Sequence, residues 1–388
     1  MAVISPAVGL NPNVNQIYPI VNSIFEQVTG ITDIQAVDTE SLVSMGKVIQ
    51  DQGKLDLWLN TLNRRIGMTI DTYRPYKNKF SDINRSQLEW GAIVQKLFAE
   101  MPDAVDDKMY DIGKMDGQSV DHYIISNPKV KQRLFDKEAP YAFFITMSTK
   151  MLRDAFLNPS AMQALITQIF GKVQNKIEVT LEDLARICIV NYMLHLKKAQ
   201  HYHLVSIYND THNETLNTAT AKYNPDFLRF AIGFMNNVSY KMESMSVQYN
   251  SEGWQRFTPR ESQKFYVLAD FMTILETVVQ YEAFNPQYIS TKPDIKIPYW
   301  QAAKINEDTK LDWSNITSMS GTVDGVETTL QNVIAFMFDK EALGTFRQEE
   351  EVLTTPVNAR AAYYNTFWHE GQLWFNDMSE NGVLFFLD

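Results

Sequence analysis

Apolar residues recur at helical spacing from residue 38 onward, and the stripe they form predicts the first firm helix of the chain. The stripe comprises Leu42, Met45, Val48, Ile49, Leu55, Leu59 and Leu62, with polar residues between them. The helix is predicted to begin at Asp38 or Thr39, because residues of these types cap helix N-termini. Gly53 lies within the stripe and disfavours a single continuous helix.

Two further helices are predicted in the middle of the chain. Asn158 and Pro159 supply an N-cap and a first-position proline ahead of a second apolar stripe. Thr180 and Asp183 resemble a capping box that opens the longest helix, which is predicted to continue to about Tyr202. The helices predicted in the later half are Pro225–Asn236 and Pro259–Gln280.

Strand patterns occupy much of the remaining apolar sequence. The short apolar run 333–338 follows an Asp324-Gly325 turn signal, which is typical of a strand. Near the C-terminus, the runs Gln372–Asp377 and Gly382–Leu387 are predicted to be strands joined by a polar turn. The mixture predicts an α+β fold in which the C-terminal residues return to the main sheet.

Two stretches have too little apolar patterning to bury themselves. Residues 1–35 are rich in Asn, Pro and small apolar residues, and are expected to be loose or to lie along a neighbouring subunit, with a short helix around Val21–Val28. Residues 66–101 carry β-type composition on both sides of a polar stretch, and Pro75 interrupts the first side. This segment is predicted to be a hairpin that extends from the main body.

Composition narrows the class of protein. Aromatic residues make up 12% of the chain, which suits a large core or extensive partner contacts. The formal net charge of −11 argues against a sequence-reading nucleic-acid binder, because it repels phosphate backbones, but it is compatible with a container for DNA. Cys188 is the single cysteine, so a reducing cytoplasm is the expected folding compartment. Neither a signal peptide nor a transmembrane segment is predicted.

The best candidate for a metal site is the group His195, His201 and His203. His201 and His203 share a face only on a strand, since residues two apart on a helix point in different directions. A zinc enzyme would also need carboxylate or cysteine ligands at short spacing, so structural or surface histidines are the favoured interpretation. A metal-dependent enzyme using these three histidines stays as an alternative.

Other motifs of catalysis are missing from the sequence. It contains neither a phosphate-binding glycine loop nor a nucleophile elbow. Cys188 falls on the apolar face of a predicted helix and is interpreted as a core residue. The acidic stretch 103–121 lacks the oxygen spacing of a calcium loop and is interpreted as a solvated loop. No catalytic residue, cofactor or metal is therefore predicted.

Four blocks of the chain, in the right order, resemble the major capsid proteins of small short-tailed bacteriophages. The blocks are Asn63–Tyr76 with Gln87–Phe98, Tyr141–His203, Phe265–Tyr288 with Val333–Leu343, and Asn358–Asp388. The last block, NARAAYYNTFWHEGQLWFNDMSENGVLFFLD, is the most specific of the four. The resemblance implies the tailed-phage capsid fold, which is named after phage Hong Kong 97.

The resemblance also implies a division of the chain into functional segments. These are an N-terminal arm 1–35, an N-terminal helix 36–65, an extended-loop β-hairpin 66–101, a peripheral domain 102–203 with a spine helix at about 180–202, an axial domain 204–355, and C-terminal strands 356–388 that return to the peripheral domain. Extended arms of this kind bury large areas on neighbouring copies.

The function implied by the resemblance is self-assembly into an icosahedral shell around double-stranded DNA, in the virion, after synthesis in the bacterial host cytoplasm. The expected partners are copies of the chain in rings of five and six, a portal protein, and a separate scaffolding protein or none; DNA would be enclosed without sequence-specific binding, and no membrane is involved. Candidate inter-subunit contacts are Tyr73, Tyr76, Phe80 and Trp90. A portal or tail subunit is the other alternative.

Overall fold

Helices and strands are mixed along the whole chain, as the pattern predicts. The computed structural model describes residues 14–69, 76–85, 93–102, 130–136, 138–157, 159–165, 171–282, 293–302, 312–347 and 351–388, with isolated positions between 104 and 127. The α-helices are α1 Val14–Thr29, α2 Thr39–Asp51, α3 Leu55–Thr69, α4 Thr149–Leu157, α5 Pro159–Ala164, α6 Gly171–Leu194, α7 Leu204–His212, α8 Thr218–Ala221, α9 Pro225–Met242, α10 Ala269–Glu282 and α11 Trp313–Ile316. The β-strands are β1 Asn84–Arg85, β2 Val94–Ala99, β3 Val130–Phe135, β4 Glu138–Ser148, β5 His201–His203, β6 Gln263–Leu268, β7 Ile295–Ile297, β8 Met319–Val323, β9 Val326–Leu330, β10 Val333–Asp339, β11 Leu343–Arg347, β12 Glu351–Thr354, β13 Tyr363–Asn376 and β14 Gly382–Phe386.

The chain divides into two compact units, each built from segments far apart in sequence. Unit 1 comprises Met1–Trp90, Glu138–Ala185 and Thr345–Leu373, and unit 2 comprises Gly91–Lys137, Arg186–Gly344 and Trp374–Asp388. Helix α6 and strand β13 contribute residues to both units. Neither unit is therefore a single continuous segment of the sequence.

Unit 1 packs its helices against one face of a sheet. Strand β13 pairs antiparallel with β4 from Tyr363 to Leu373, and with β12 from Thr366 to His369. The core that covers the inner face of this sheet takes apolar side chains from α1 to α6, including Phe25, Leu42, Met45, Trp58, Leu152, Phe156 and Ile177, together with Val352 and Trp368 from the sheet. The rings of Trp58 and Phe156 lie 4.7 Å apart.

Unit 2 is centred on a sheet with the strand order β5-β14-β10-β6-β7. Strand β10 is antiparallel to both β14 and β6, and every residue of β10 is buried. An uninterrupted apolar run such as VIAFMF is what a strand covered on both faces requires. The predicted strand at 333–338 is confirmed.

Several local sequence signals are confirmed in their predicted form. Asp38 caps α2, since its carboxylate accepts a hydrogen bond from the Ser41 backbone N–H at 2.8 Å. Gly53, with φ of +62°, separates α2 from α3, so the predicted segment 36–65 holds two helices. Asp324 and Gly325 both have positive φ and form the tight turn of the β8–β9 hairpin.

The prediction of an N-terminal arm over 1–35 is wrong for residues 14–29. These residues form α1, whose Val21, Ile24 and Phe25 are fully buried in unit 1. Pro19 lies within α1 and does not end it. The apolar spacing from residue 21 to residue 28 is therefore sufficient to bury this helix, and residues 1–13 lie outside the described part of the chain.

The predicted spine helix at about 180–202 has different ends. Helix α6 covers Gly171–Leu194, and a short 3₁₀ turn and β5 follow it. Thr180 is not a cap but lies inside α6, where its hydroxyl donates to the Lys176 carbonyl at 2.9 Å. A threonine can satisfy its hydroxyl within a helix in this way, so the capping-box pattern was misleading.

The helix predicted over Pro259–Gln280 is wrong in its first half. Gln263–Leu268 form β6, which pairs with β10, and α10 begins only at Ala269. The apolar run in FYVL fits either a helix or a buried strand by its pattern alone, and pairing with β10 selects the strand.

Both predicted C-terminal strands exist, with the polar turn between them, but the first begins at Tyr363 rather than at Gln372, and the two belong to different sheets. Strand β13 lies in the unit 1 sheet, whereas β14 lies between β5 and β10 in unit 2. Strand β13 pairs with β4 and β14 pairs with β5, and both partners fall within the predicted peripheral domain 102–203, so the return of the C-terminal strands to that domain stays a prediction. The fully buried residues of β14 provide the apolar neighbour that β10 requires.

Candidate assembly surfaces

The antiparallel hairpin of β2 and β3 exposes an apolar face. The register places Leu97 opposite Gln132 and Gln95 opposite Leu134, and directly opposed residues project to the same side. Leu97 is 66% exposed and Leu134 is 58% exposed. The hairpin face, as it is called below, comprises the exposed apolar side chains of this side, Leu97, Val130 and Leu134, together with the exposed Ile93 and Met101, which flank β2.

The opposite side of the hairpin packs on the rest of unit 2. Phe98 is buried and its ring lies 6.1 Å from that of Trp254, while the ring of Phe135 lies 5.3 Å from that of Phe375. Since these aromatic contacts hold the inner side, the outer side is left to solvent in the single chain. The predicted hairpin over 66–101 is corrected accordingly: within the described residues, β2 pairs with β3, about thirty residues further along the chain.

Charged residues lie between the aromatic contacts of the hairpin's inner side. Lys96 and Arg133 are directly opposed, and both reach the carboxylate of Asp377 at 3.1 Å. Arg133 also pairs with Glu252. Burial raises the pKa of Glu380 in this region, and the charges of Arg256 and Lys96 oppose that rise.

A second exposed apolar face lies on the unit 1 sheet. Leu353, Phe367 and Phe144 occupy one row across β12, β13 and β4, and they are called the sheet face below. Phe144 is 66% exposed, and its ring stacks on that of Phe367 at 5.7 Å. Solvent-facing positions elsewhere on these strands are largely polar, such as Thr146 and Asn365, so the row is an apolar patch within a polar surface.

The four aromatic residues predicted to contact neighbouring subunits differ in what the structure shows of them. Tyr73 and Trp90 lie outside the described residues. Tyr76 is partly exposed, and its hydroxyl donates to the Glu182 carboxylate of α6 at 2.6 Å. Phe80 is only 1% exposed, so its side chain is part of its own subunit's interior and the prediction that it contacts a neighbour is corrected.

Sequence reasoning missed both apolar faces. The segments 93–101 (IVQKLFAEM) and 130–134 (VKQRL) do not alternate between apolar and polar residues. Apolar residues occur on both sides of β2, as with the neighbours Leu97 and Phe98, so the sequence does not tell which side is buried. The sheet face needed the register of three strands, one of which, β4, is distant in sequence from the other two.

The three histidines of the candidate metal group are engaged separately. His195 bonds through Nδ1 to the Asn191 carbonyl oxygen at 2.7 Å, and His203 Nδ1 lies 3.0 Å from the Asp388 carboxylate. His201 packs on Phe386, and burial, followed by repulsion from His203, lowers its pKa to about 4. Within the described ranges, no three His, Cys, Asp or Glu side chains are grouped to hold a metal ion.

Cys188 is confirmed as a core residue. Its Sγ donates to the Asn376 side-chain oxygen at 3.0 Å, and burial raises its pKa to about 12. A thiol with such a pKa is protonated at neutral pH and is a poor nucleophile. Among the helices that the structure describes, none is long and apolar enough to cross a membrane.

A comparison with protein families identifies the family of the chain that carries these surfaces. The model of the Phi29-like phage major capsid protein family matches residues 17–386, which is nearly the whole chain. The chain belongs to this family. It is therefore a structural, capsid-forming protein of a phage virion rather than an enzyme, and shell formation requires this capsid protein to contact copies of itself.

Solved structures agree with the family at the level of the fold. One similar chain is from the capsid structure of Staphylococcus phage Andhra, with 13% identity, a TM-score of 0.51 and coverage of 82% of this chain and 86% of that chain. Another is from the structure of the head fiber and inner core protein gp22 of native bacteriophage P68, with 11% identity, a TM-score of 0.52 and coverage of 82% and 87%. No curated protein matches the capsid protein in sequence. The predicted tailed-phage capsid fold of the Hong Kong 97 type is confirmed.

Proposed function

We propose that the hairpin face and the sheet face are two of the surfaces through which copies of this capsid protein contact each other in an icosahedral shell. A ring of subunits with head-to-tail contacts needs two different surfaces on each copy. The hairpin face belongs to unit 2 and the sheet face to unit 1, so each copy carries both. Contacts that exclude water from such side chains stabilise association by roughly 1.5–3 kcal/mol for each large apolar side chain fully buried.

The exposure of the hairpin face is the observation that carries the proposal. Its five apolar side chains are each more than half exposed in the single chain, although the same two strands bury Phe98 on their other side. Scattered exposed apolar residues are ordinary, but several of them grouped on one strand pair are typical of an interaction surface.

The functional segments can be assigned to the two units. Unit 1, with most of α6, corresponds in this proposal to the peripheral domain, and unit 2 to the axial domain. Residues 1–13 are the part of the N-terminal arm that remains proposed. Tyr73, Tyr76 and Trp90 also remain proposed contacts between copies.

The shell is proposed to enclose double-stranded DNA without sequence-specific binding. The net charge of −11 supports this, because a wall that repels phosphates does not grip the polymer. A portal at one vertex and a separate scaffolding protein complete the proposed set of partners. Synthesis in the host cytoplasm is supported by the single cysteine, which needs no oxidising compartment.

The test replaces the hairpin face and measures assembly. The double variant Leu97→Ser with Leu134→Ser should fold, since both side chains are exposed, but should no longer form shells or capsomers in sedimentation. The matched control is Gln95→Ser with Gln132→Ser, which changes polar neighbours on the same side of the hairpin and should assemble normally. Normal assembly of the leucine variant would overturn the proposal.

A further inference from the structure

The hairpin of β2 and β3 meets the rest of unit 2 through a buried carboxylate. Asp377 has a fully buried side chain. Its Oδ2 receives the Lys96 ammonium and its Oδ1 receives the Arg133 guanidinium, each at 3.1 Å. Its Oδ1 also accepts hydrogen bonds from the Ser379 backbone N–H at 3.1 Å and from the Ser379 hydroxyl at 2.7 Å. One carboxylate thus connects both strands of the hairpin to the residues that follow β13.

Pairing of β2 with β3 brings two positive charges together, and the Asp377 carboxylate counters them. Lys96 and Arg133 are directly opposed in the β2–β3 ladder, and like charges at opposed positions destabilise strand pairing. Asp377 binds both and offsets the repulsion, with Glu252 beside Arg133 and Glu380 at 4.0 Å from Lys96 as further counter-charges. Of these three carboxylates, Asp377 is bound by both cations, so pairing of β2 with β3 in this register depends on docking against Asp377.

The charges also select one position of the hairpin. The hydrophobic burial of side chains such as Phe98 and Phe135 is non-directional and tolerates small shifts. A shift by one residue would turn Lys96 or Arg133 towards the outer side and leave the buried Asp377 carboxylate with one cationic partner fewer, which is unfavourable. Lys96 also donates to the Glu341 backbone carbonyl, which adds a second fixed point.

We infer that Asp377, Lys96 and Arg133 form an ionic latch that holds the β2–β3 hairpin on its own subunit and in one register. These are positioning residues, because they act through the location of the hairpin and not by contact with another copy. The latch presents the hairpin face outward before any partner binds. This consequence for assembly rests on the proposed function of that face, whereas the latch itself does not.

Amide hydrogen exchange of the full-length, unassembled chain tests the latch. Lys96→Gln and Asp377→Asn should each raise exchange in β2 and β3 by about tenfold or more, while amides of β10 and β14 keep their protection. Lys131→Gln is the control, because Lys131 is on the same hairpin, is 57% exposed and lies 3.7 Å from Glu252 rather than on Asp377. It should leave the exchange of β2 and β3 unchanged.

A third variant tests whether faster exchange in the single variants comes from unpaired charges or from lost side-chain packing. Lys96→Met, Arg133→Met and Asp377→Leu together replace the three latch charges with apolar groups, while Glu252 keeps Lys131 and Glu380 keeps Arg256 as partners. This combination should restore protection to β2 and β3. Unchanged exchange in Lys96→Gln would overturn the latch, and so would a rise that extends equally to β10 and β14. Failure of the proposed function would look different: the Leu97 and Leu134 variant would assemble while exchange in β2 and β3 stayed slow.

Discussion

Close packing at single residues sets what this fold tolerates. A Cβ on Gly46, in α2, would lie 2.9 Å from Cγ of Phe156, whereas a Cβ on Gly233, in α9, would meet nothing within 4 Å. Both glycines are in helices, so alanine gains about 1 kcal/mol of helix propensity at either site. The two sites differ only in what the added methyl group touches.

Gly46→Ala is expected to lower the free energy of unfolding by about 1 kcal/mol, because overpacking against Phe156 at a cost of about 1–3 kcal/mol exceeds the propensity gain. Gly233→Ala is expected to raise it by about 0.5–1 kcal/mol. Chemical denaturation of both variants measures the difference. Equal stabilisation by the two substitutions would show that the Phe156 side chain moves aside without a loss of stability.

The pKa of His201 predicts an acid-sensitive element of stability. Burial holds this pKa at about 4 in the folded chain, below its usual value of 6.5. The unfolded chain therefore binds the proton first, and stability falls as the pH falls from about 6.5 towards 4. His201→Phe should flatten this part of the stability profile, as measured by thermal unfolding at several pH values; an unchanged slope would assign it to other groups.

At the scale of elements, α1 is a structural helix of unit 1. Phe25→Ala should lower the free energy of unfolding by roughly 3–5 kcal/mol, because it removes a fully buried ring. Glu26→Ala, at the next and exposed position, should change it little. Urea unfolding compares them. If both substitutions were equally mild, α1 would be acting as a detachable arm after all.

The sheet face gives a matched prediction for assembly. Phe144→Thr should fold but reduce shell formation, because it removes the most exposed side chain of the apolar row. Thr146→Ser, two positions along the same strand and on the same side, is the control and should assemble normally. Light scattering during assembly distinguishes them, and equal assembly by both variants would remove the sheet face from the proposed contacts.

An element can be predicted from the sequence when the residues that determine it are close to one another in the chain. The cap at Asp38, the break at Gly53 and the Asp324-Gly325 turn are correct because each depends on a few neighbouring residues. The run 333–338 is correct because it is too apolar for a surface. These signals identify elements but not their partners.

The errors arise where distant residues decide the outcome. Gln263–Leu268 become a strand because β10 lies beside them, and β2 pairs with β3 across a long insertion. Neither pairing can be predicted from the residues in a short window of sequence. The contact surfaces share this difficulty, since exposure of Leu97 or Phe144 follows from which side of a sheet the core covers.

At the scale of the whole molecule, family membership and the two apolar faces lead to the same expectation. A chain whose family forms capsids must bury surface against copies of itself, and the described residues of each unit include an exposed apolar face. Because each copy carries a net charge of −11, apolar contacts have to overcome electrostatic repulsion between copies. Substitutions in these faces should therefore impair assembly more than they lower the stability of the folded chain.

Sedimentation of the purified chain over a wide concentration range, followed by negative-stain electron microscopy, tests the central claim most directly. The capsid assignment predicts capsomers, shells or sheets, alone or in the presence of the other phage proteins. A monomer that persists at every concentration under both conditions would contradict it.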